Sequence, residues 1–243
     1  MIYILTGMHR SGTSMIARFL HASGVNMGTE FYHDETANKY GHYEDVDFLN
    51  LQRRELARAF NGEDYLVQEG FKLSDDFVEQ SKNLINLKLK LNHRENWGWK
   101  DPRTTVFIEH WLKIEPEIRF IFIVRKPESV INSLCKLLKT KWSYHEKLKY
   151  LNTCIYYNQR ILNFIKNPAN KNWVLLSFED LVRNPFTGLS KINKQFGLDL
   201  EASLFAKQYD EKVISKAQHI PYIFLQSKLQ KARLIHKALS QYF

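Results

Sequence analysis

An α/β fold with a central parallel sheet flanked by helices is what this sequence predicts, and three observations carry that reading. Apolar runs at residues 2–5, 120–124 and 173–176 are short and are bounded by polar residues or glycine, as suits strands buried on both faces of a parallel sheet. Each run is followed by a stretch of helical periodicity. The first run passes through Gly7 to Gly12 into Met15, Ile16, Phe19 and Leu20, spaced for one helix face, and the pattern stops at Gly24, where a C-terminal glycine ends a helix. A βα unit therefore opens the chain.

Further helical patterns lie at about 45–60, 75–91, 104–112, 127–138, 144–165, 187–196 and 222–242. The stretches 25–44, 61–74 and 199–221 show no clear period and have the length of lids or loops over a site. With no repeat, low-complexity tract or linker, one domain spanning 1–243 is expected. The 44% apolar and 14% aromatic content excludes disorder. No apolar run approaches the ~18 residues of a membrane helix, and no signal-sequence pattern opens the chain, so a cytoplasmic protein without a transmembrane segment is expected. Cys135 and Cys154 match neither a disulfide framework nor a metal-binding spacing and read as reduced core thiols. The formal charge of +9 points to an anionic partner, whether nucleic acid, phosphorylated nucleotide or acidic glycan.

Gly7-Met8-His9-Arg10-Ser11-Gly12-Thr13-Ser14 sits between the first strand and the first helix with the spacing of a phosphate-binding loop. Backbone N–H groups and the helix dipole converge on an anion at such a place. Thr13 stands where an ATP or GTP enzyme carries the lysine that reaches the β- and γ-phosphates, and the positive charge has moved to Arg10. The fold reads as P-loop-like, yet the loop argues against γ-phosphoryl chemistry. Arg125, at the carboxyl end of the run 120–124, would face the same crevice, since ligands of open α/β sheets bind outside the strand ends. Its planar guanidinium suits a phosphate. Ser133 follows eight residues later, on the next helix.

The string from His9 to Ser14 resembles the 5′-phosphosulfate loop of sulfotransferases that use 3′-phosphoadenosine 5′-phosphosulfate (PAPS), in particular the bacterial carbohydrate and protein-tyrosine branches. Three further segments agree in order and spacing, so the resemblance runs from residue 2 to about residue 198. It implies that Arg10, Ser11, Gly12, Thr13 and Ser14 bind the 5′-phosphosulfate and that Arg125 and Ser133 hold the 3′-phosphate. Trp97-Gly98-Trp99-Lys100-Asp101-Pro102-Arg103 resembles the family segment whose lysine contacts the transferring sulfuryl group. Charge builds on the sulfuryl and bridging oxygens as the S–O bond breaks, and Lys100 and Arg10 are the cations assigned to it. Asp101 reads as the cap of the following helix; Arg103 would either bind acceptor or pair with Asp101. Ser177-Phe178-Glu179-Asp180-Leu181 resembles a late family segment, with Phe178 in place of its tyrosine, and the ring is read either as a stack near adenine or as packing.

Transfer to a hydroxyl needs a base, and two carboxylates compete. Glu30 occupies the place where several family members carry a catalytic glutamate. Glu44, in Tyr40-Gly41-His42-Tyr43-Glu44-Asp45, resembles a segment of bacterial members but also suits a helix N-terminus. Glu30 is placed ahead, with His42 and His33 behind. No metal is required, and the nine histidines show no metal-binding arrangement. The implied donor is PAPS, the product adenosine 3′,5′-bisphosphate, and the acceptor a hydroxyl of a carbohydrate or glycolipid, with no nucleic-acid partner. The glycine-rich C-terminal motif of the steroid and phenol branch has no counterpart here. Lys136, Lys139, Lys141, Lys147 and Lys149, among Trp142, Tyr144 and Tyr150, read as a solvated face or a surface for an acidic acceptor. Two readings stand against the sulfotransferase: a P-loop small-molecule kinase, marked by ATP and magnesium dependence, and a non-catalytic binder of RNA or acidic glycan, marked by steep salt dependence.

Overall fold

A computed structural model describes residues 1–33, 41–60, 70–92, 95–137, 144–208 and 225–243. Four strands, β1 (Ile2–Thr6), β2 (Trp97–Lys100), β3 (Arg119–Val124) and β4 (Trp173–Ser177), form one parallel sheet in the order β2-β1-β3-β4. Ten helices accompany them among the described residues: α1 (Thr13–Ala22), α2 (Val46–Ala59), α3 (Asp75–Leu91), α4 (Ile108–Ile114), α5 (Pro127–Leu137), α6 (Tyr144–Lys166), α7 (Phe178–Arg183), α8 (Pro185–Phe196), α9 (Ala202–Gln208) and α10 (Gln226–Leu239).

Alternation along the strands divides the core between the two faces of the sheet. Ile2, Ile4, Trp97, Trp99, Phe120 and Phe122 point into a cluster covered by α2 to α6 and α10. Tyr3, Leu5, Ile121, Ile123, Val174 and Leu176 point the other way, into a cluster covered by α1, α8 and α9. Phe48 stacks on Trp99 at 3.9 Å between ring centres, and Trp111 meets Trp99 edge-on at 5.1 Å. Because all four strands run the same way, their carboxyl ends share one edge. There the chain leaves β1 into the Gly7 loop, β2 at Lys100, β3 at Arg125 and β4 at Phe178.

Several elements differ from the sequence reading. Residues 97–100 form the edge strand β2, paired along β1 from Trp97 beside Ile2 to Lys100 beside Leu5; a four-residue strand with glycine inside it lacks the aliphatic run that marks the others. A Cβ on Gly98 would lie 1.8 Å from the Tyr3 carbonyl oxygen, so the glycine permits this close pairing. The helix expected at 104–112 is split into a 3-10 segment (Pro102–Phe107) and α4. Asp101 caps the first part by accepting from Arg103 N, and the β-branched Thr104, Thr105 and Val106 disfavour a full α turn. Two short helices, α7 and α9, were not foreseen; Ser177 caps α7, accepting from Asp180 N at 3.2 Å. In the lysine run, Lys147 is buried rather than solvated, whereas Lys136 and Lys149 are exposed. Lys139, Lys141 and Trp142 lie outside the described residues, as do much of 61–74 and of 199–221 and the expected start of the last helix.

Candidate active site

The loop between β1 and α1 is shaped by three residues with positive φ: Gly7, Arg10 at 66° and Gly12 at 94°. A Cβ on Gly7 would lie 2.1 Å from the Ile123 carbonyl oxygen, and one on Gly12 2.4 Å from the Phe178 ring. Both positions therefore require glycine, while Arg10 holds a left-handed backbone that costs a non-glycine residue about 1–2 kcal/mol. Such strain persists where surrounding contacts over-determine it, and Arg125 Nη1 donates to the Arg10 carbonyl at 3.0 Å. The N-terminus of α1 has no side-chain cap and no acidic residue in its first turn, which leaves its positive dipole end open to an anion. Ser11 Oγ is fully buried in the loop and has no hydrogen-bond partner among the described residues.

The loop is tied to the segment that follows β3. Arg10 Nε donates to Ser133 Oγ at 2.9 Å, which joins the loop to α5. The Arg125 guanidinium lies over the Phe178 ring, 4.4 Å from its centre, so the ring that follows β4 supports Arg125 on one side and walls Gly12 on the other. Phe178 thus packs against both Arg125 and the Gly12 loop.

Lys100 and Glu44 form the charged centre of the site. Lys100, 2% exposed, donates from Nζ to Glu44 Oε1 at 2.6 Å and to the His42 carbonyl at 3.0 Å. Arg103 Nη1 lies 3.1 Å from Asp101 Oδ1 and 3.7 Å from Glu44 Oε2. Burial works against the Glu44 carboxylate, but the Lys100 ammonium and the Arg103 guanidinium more than offset it and hold its pKa below the ordinary range. Burial pushes Asp101 up to about 6 against the pull of Arg103, with the Glu44 charge adding to the rise. His9, buried in the loop, is held well below the usual histidine range by burial and by Arg103, Lys100, Arg10 and His42, so it is neutral near pH 7. Two carboxylates and three basic side chains of the loop, β2 and the following turn thus share one buried cluster.

The other sequence-predicted residues take up distinct places. Glu30 is exposed; its carbonyl accepts from Val46 N at 3.1 Å in the short pairing that joins Phe31 to Asp45. Thr13 is buried at the start of α1 and Ser14 half-buried beside it. His33 is exposed and His42 half-buried. Arg103 pairs with Asp101, one of its two expected roles, and its second contact to Glu44 was not foreseen; nothing in the spacing of 44 and 103 announces it. Among the described residues no group of three or more His, Cys, Asp or Glu side chains is arranged to hold a metal ion, and no helix is long and apolar enough to cross a membrane.

Solved structures share this arrangement of strands and helices. The sulfotransferase domain of the Synechococcus PCC 7002 olefin synthase matches with a TM-score of 0.62 and 15% identity over 97% of this chain and 94% of that one. The sulfotransferase domain from the curacin biosynthetic pathway matches with 0.60 and 16% over 97% and 96%, and a sulfotransferase from Alicyclobacillus acidocaldarius with 0.56 and 12% over 98% and 94%. No curated protein sequence matches this chain. At these identities the structures establish the P-loop-like fold. The family follows from the sequence itself: the model of the sulfotransferase family matches residues 3–202, and the chain belongs to that family.

Proposed function

We propose that the protein transfers the sulfuryl group of PAPS to a hydroxyl, most fittingly one on a carbohydrate or glycolipid, and releases adenosine 3′,5′-bisphosphate. The observation that carries the reading is the junction of the two anion anchors, Arg10 Nε on Ser133 Oγ and Arg125 Nη1 on the Arg10 carbonyl. A nucleotide phosphorylated at both its 5′ and 3′ positions needs two anchors held at a fixed spacing, and a single phosphate needs one. In this reading Ser11, Gly12, Thr13, Ser14 and the start of α1 receive the 5′-phosphosulfate. Arg125 and Ser133 receive the 3′-phosphate, and Arg10 spans the two.

Glu44 is the base in preference to Glu30, because it lies in the buried cluster with Lys100 while Glu30 points to solvent. The acceptor oxygen attacks sulfur as the bond from sulfur to the bridging phosphate oxygen breaks, and the acceptor proton passes to Glu44. Lys100 offsets the charge that collects on the departing oxygen. Glu44, its pKa held low by Lys100 and Arg103, is ionised and ready at neutral pH, and no metal enters the scheme. A cytoplasmic setting suits the unpaired, buried Cys135 and Cys154.

The test is transfer of label from ³⁵S-PAPS to a panel of simple sugars and glycolipids, with [γ-³²P]ATP and magnesium in parallel. Labelled sulfate ester on a hydroxyl acceptor supports the reading. Phosphoryl transfer from ATP contradicts it.

A further inference from the structure

We infer that Arg103 is a positioning residue for Glu44, itself locked in place by Asp101, and that it is not a ligand of the donor. The inference rests on the reading of Glu44 as the base. Asp101 Oδ1 accepts from both the backbone N–H of Arg103 at 2.8 Å and its Nη1 at 3.1 Å, so the residue is gripped at its root and at its tip. The other oxygen, Oδ2, accepts from Gln52 Nε2 at 3.1 Å, and Gln52 Oε1 accepts from Trp111 Nε1 at 3.3 Å. Asp101 is thereby fastened to α2 and, through it, to α4. Arg103 is buried, and the grip of Asp101 fixes its guanidinium on the Glu44 side of the cluster.

The two oxygens of Glu44 face different cations, Oε1 facing Lys100 at 2.6 Å and Oε2 facing Arg103 at 3.7 Å. Lys100 is the cation called on when charge develops on the donor. Arg103, anchored by Asp101, remains with Glu44 and keeps the carboxylate oriented and ionised. Among the described residues, the charged and titratable groups around Glu44 are Lys100 from β2, Arg103 and Asp101 from the turn that follows, and His42 from its own segment, with His9 of the loop next to Arg103 and Lys100.

The experiment measures Arg103→Gln and Arg103→Lys in the full chain, alone and combined with Glu44→Gln. Turnover is read as adenosine 3′,5′-bisphosphate released from PAPS with water as the accepting hydroxyl, across a pH series, and the affinity for the bisphosphate is read by calorimetry. Arg103→Gln is expected to lower kcat roughly ten- to a hundredfold, on the order of the loss from a ~1 Å misplacement of a reacting group, with bisphosphate affinity within about twofold of wild type. The acid limb of kcat should move to higher pH as Glu44 loses a cation. Arg103→Lys should fall between the two, and Arg103→Gln should add no further loss on top of Glu44→Gln. Unchanged hydrolysis, or bisphosphate affinity that falls in parallel with turnover, would overturn the inference. If Arg103→Gln does not fold, Arg103→Lys decides alone: a several-fold loss of kcat at unchanged affinity supports it, and wild-type kcat contradicts it. Failure of the wild-type protein to bind the bisphosphate or to turn over PAPS would instead remove the proposed function, before any variant is compared.

Discussion

Arg10 Nε donates to Ser133 Oγ across 2.9 Å, and this bond joins the loop after β1 to the helix after β3. The two segments proposed to anchor the donor's phosphates thus meet through side chains. Removing the hydroxyl with Ser133→Ala should weaken binding of adenosine 3′,5′-bisphosphate by about 0.5–1.5 kcal/mol, the net value of one hydrogen bond. Arg125→Ala removes a charged donor and should cost about 1.5–3 kcal/mol, and more if the Arg10 backbone relaxes. Calorimetry on both variants, with thermal unfolding as a control for the fold, orders them.

Phe178 supports Arg125 by stacking, at 4.4 Å. Phe178→Leu should keep the apolar wall on Gly12 but lose the ring face, weakening the bisphosphate by about 0.5–2 kcal/mol. Phe178→Tyr keeps the ring and should bind nearly as wild type. Equal affinity of the Leu variant and wild type would show that the stack contributes nothing to the anchor.

Glu44→Gln and Glu30→Gln separate the two candidate bases. Glu44→Gln should lower kcat roughly 10²- to 10⁴-fold, the range for a general base, with bisphosphate affinity retained; Glu30→Gln should stay within a few-fold of wild type. The reverse pattern in the PAPS turnover assay would move the base to the exposed glutamate.

Gly98 pairs so closely with β1 that a Cβ would lie 1.8 Å from the Tyr3 carbonyl oxygen, a backbone atom that cannot swing away. Gly98→Ala should destabilise the fold by at least about 2 kcal/mol, as overpacking does when no flexible side chain can yield, and should loosen Lys100 with the rest of β2. Urea unfolding measures the change.

His110, bonded to Ser81 Oγ through Nε2 at 2.6 Å, is pushed down from its ordinary 6.5 to about 4 by burial, with Lys113 and Lys82 adding to the shift. The unfolded chain therefore binds a proton more readily than the folded one between pH 6.5 and 4. Stability is fully present above 6.5 and is lost as pH falls through that window. The side chain is half-buried, so solvent screening reduces the contribution to about 1–2 kcal/mol. His110→Gln should flatten the fall in stability across this window in urea unfolding followed as a function of pH.

What was legible in the sequence was what local pattern determines. The strands β1, β3 and β4 are aliphatic or aromatic runs between polar residues, and the loop after β1 declares itself through Gly7, Arg10 and Gly12. β2 was hidden because its partner, not its own composition, makes it a strand: Gly98 pairs with Tyr3 of β1. The split at Pro102–Phe107 depends on Asp101 capping its own turn while Gln52 reaches it from α2. In the site, the types of residue were readable and their pairings were not. Arg10 reaching Ser133, Phe178 lying under Arg125 and Arg103 touching Glu44 all join segments far apart in the chain. Only the parallel sheet, by gathering strand ends on one edge, brings them together.

The most direct measurement is calorimetric titration of the purified protein with adenosine 3′,5′-bisphosphate, beside ADP and ATP at moderate salt. Two anchors joined through Arg10 predict that the bisphosphate binds far more tightly than either, because only it offers phosphate at both positions. Equal or tighter binding of ATP, or no binding of the bisphosphate, would contradict the account.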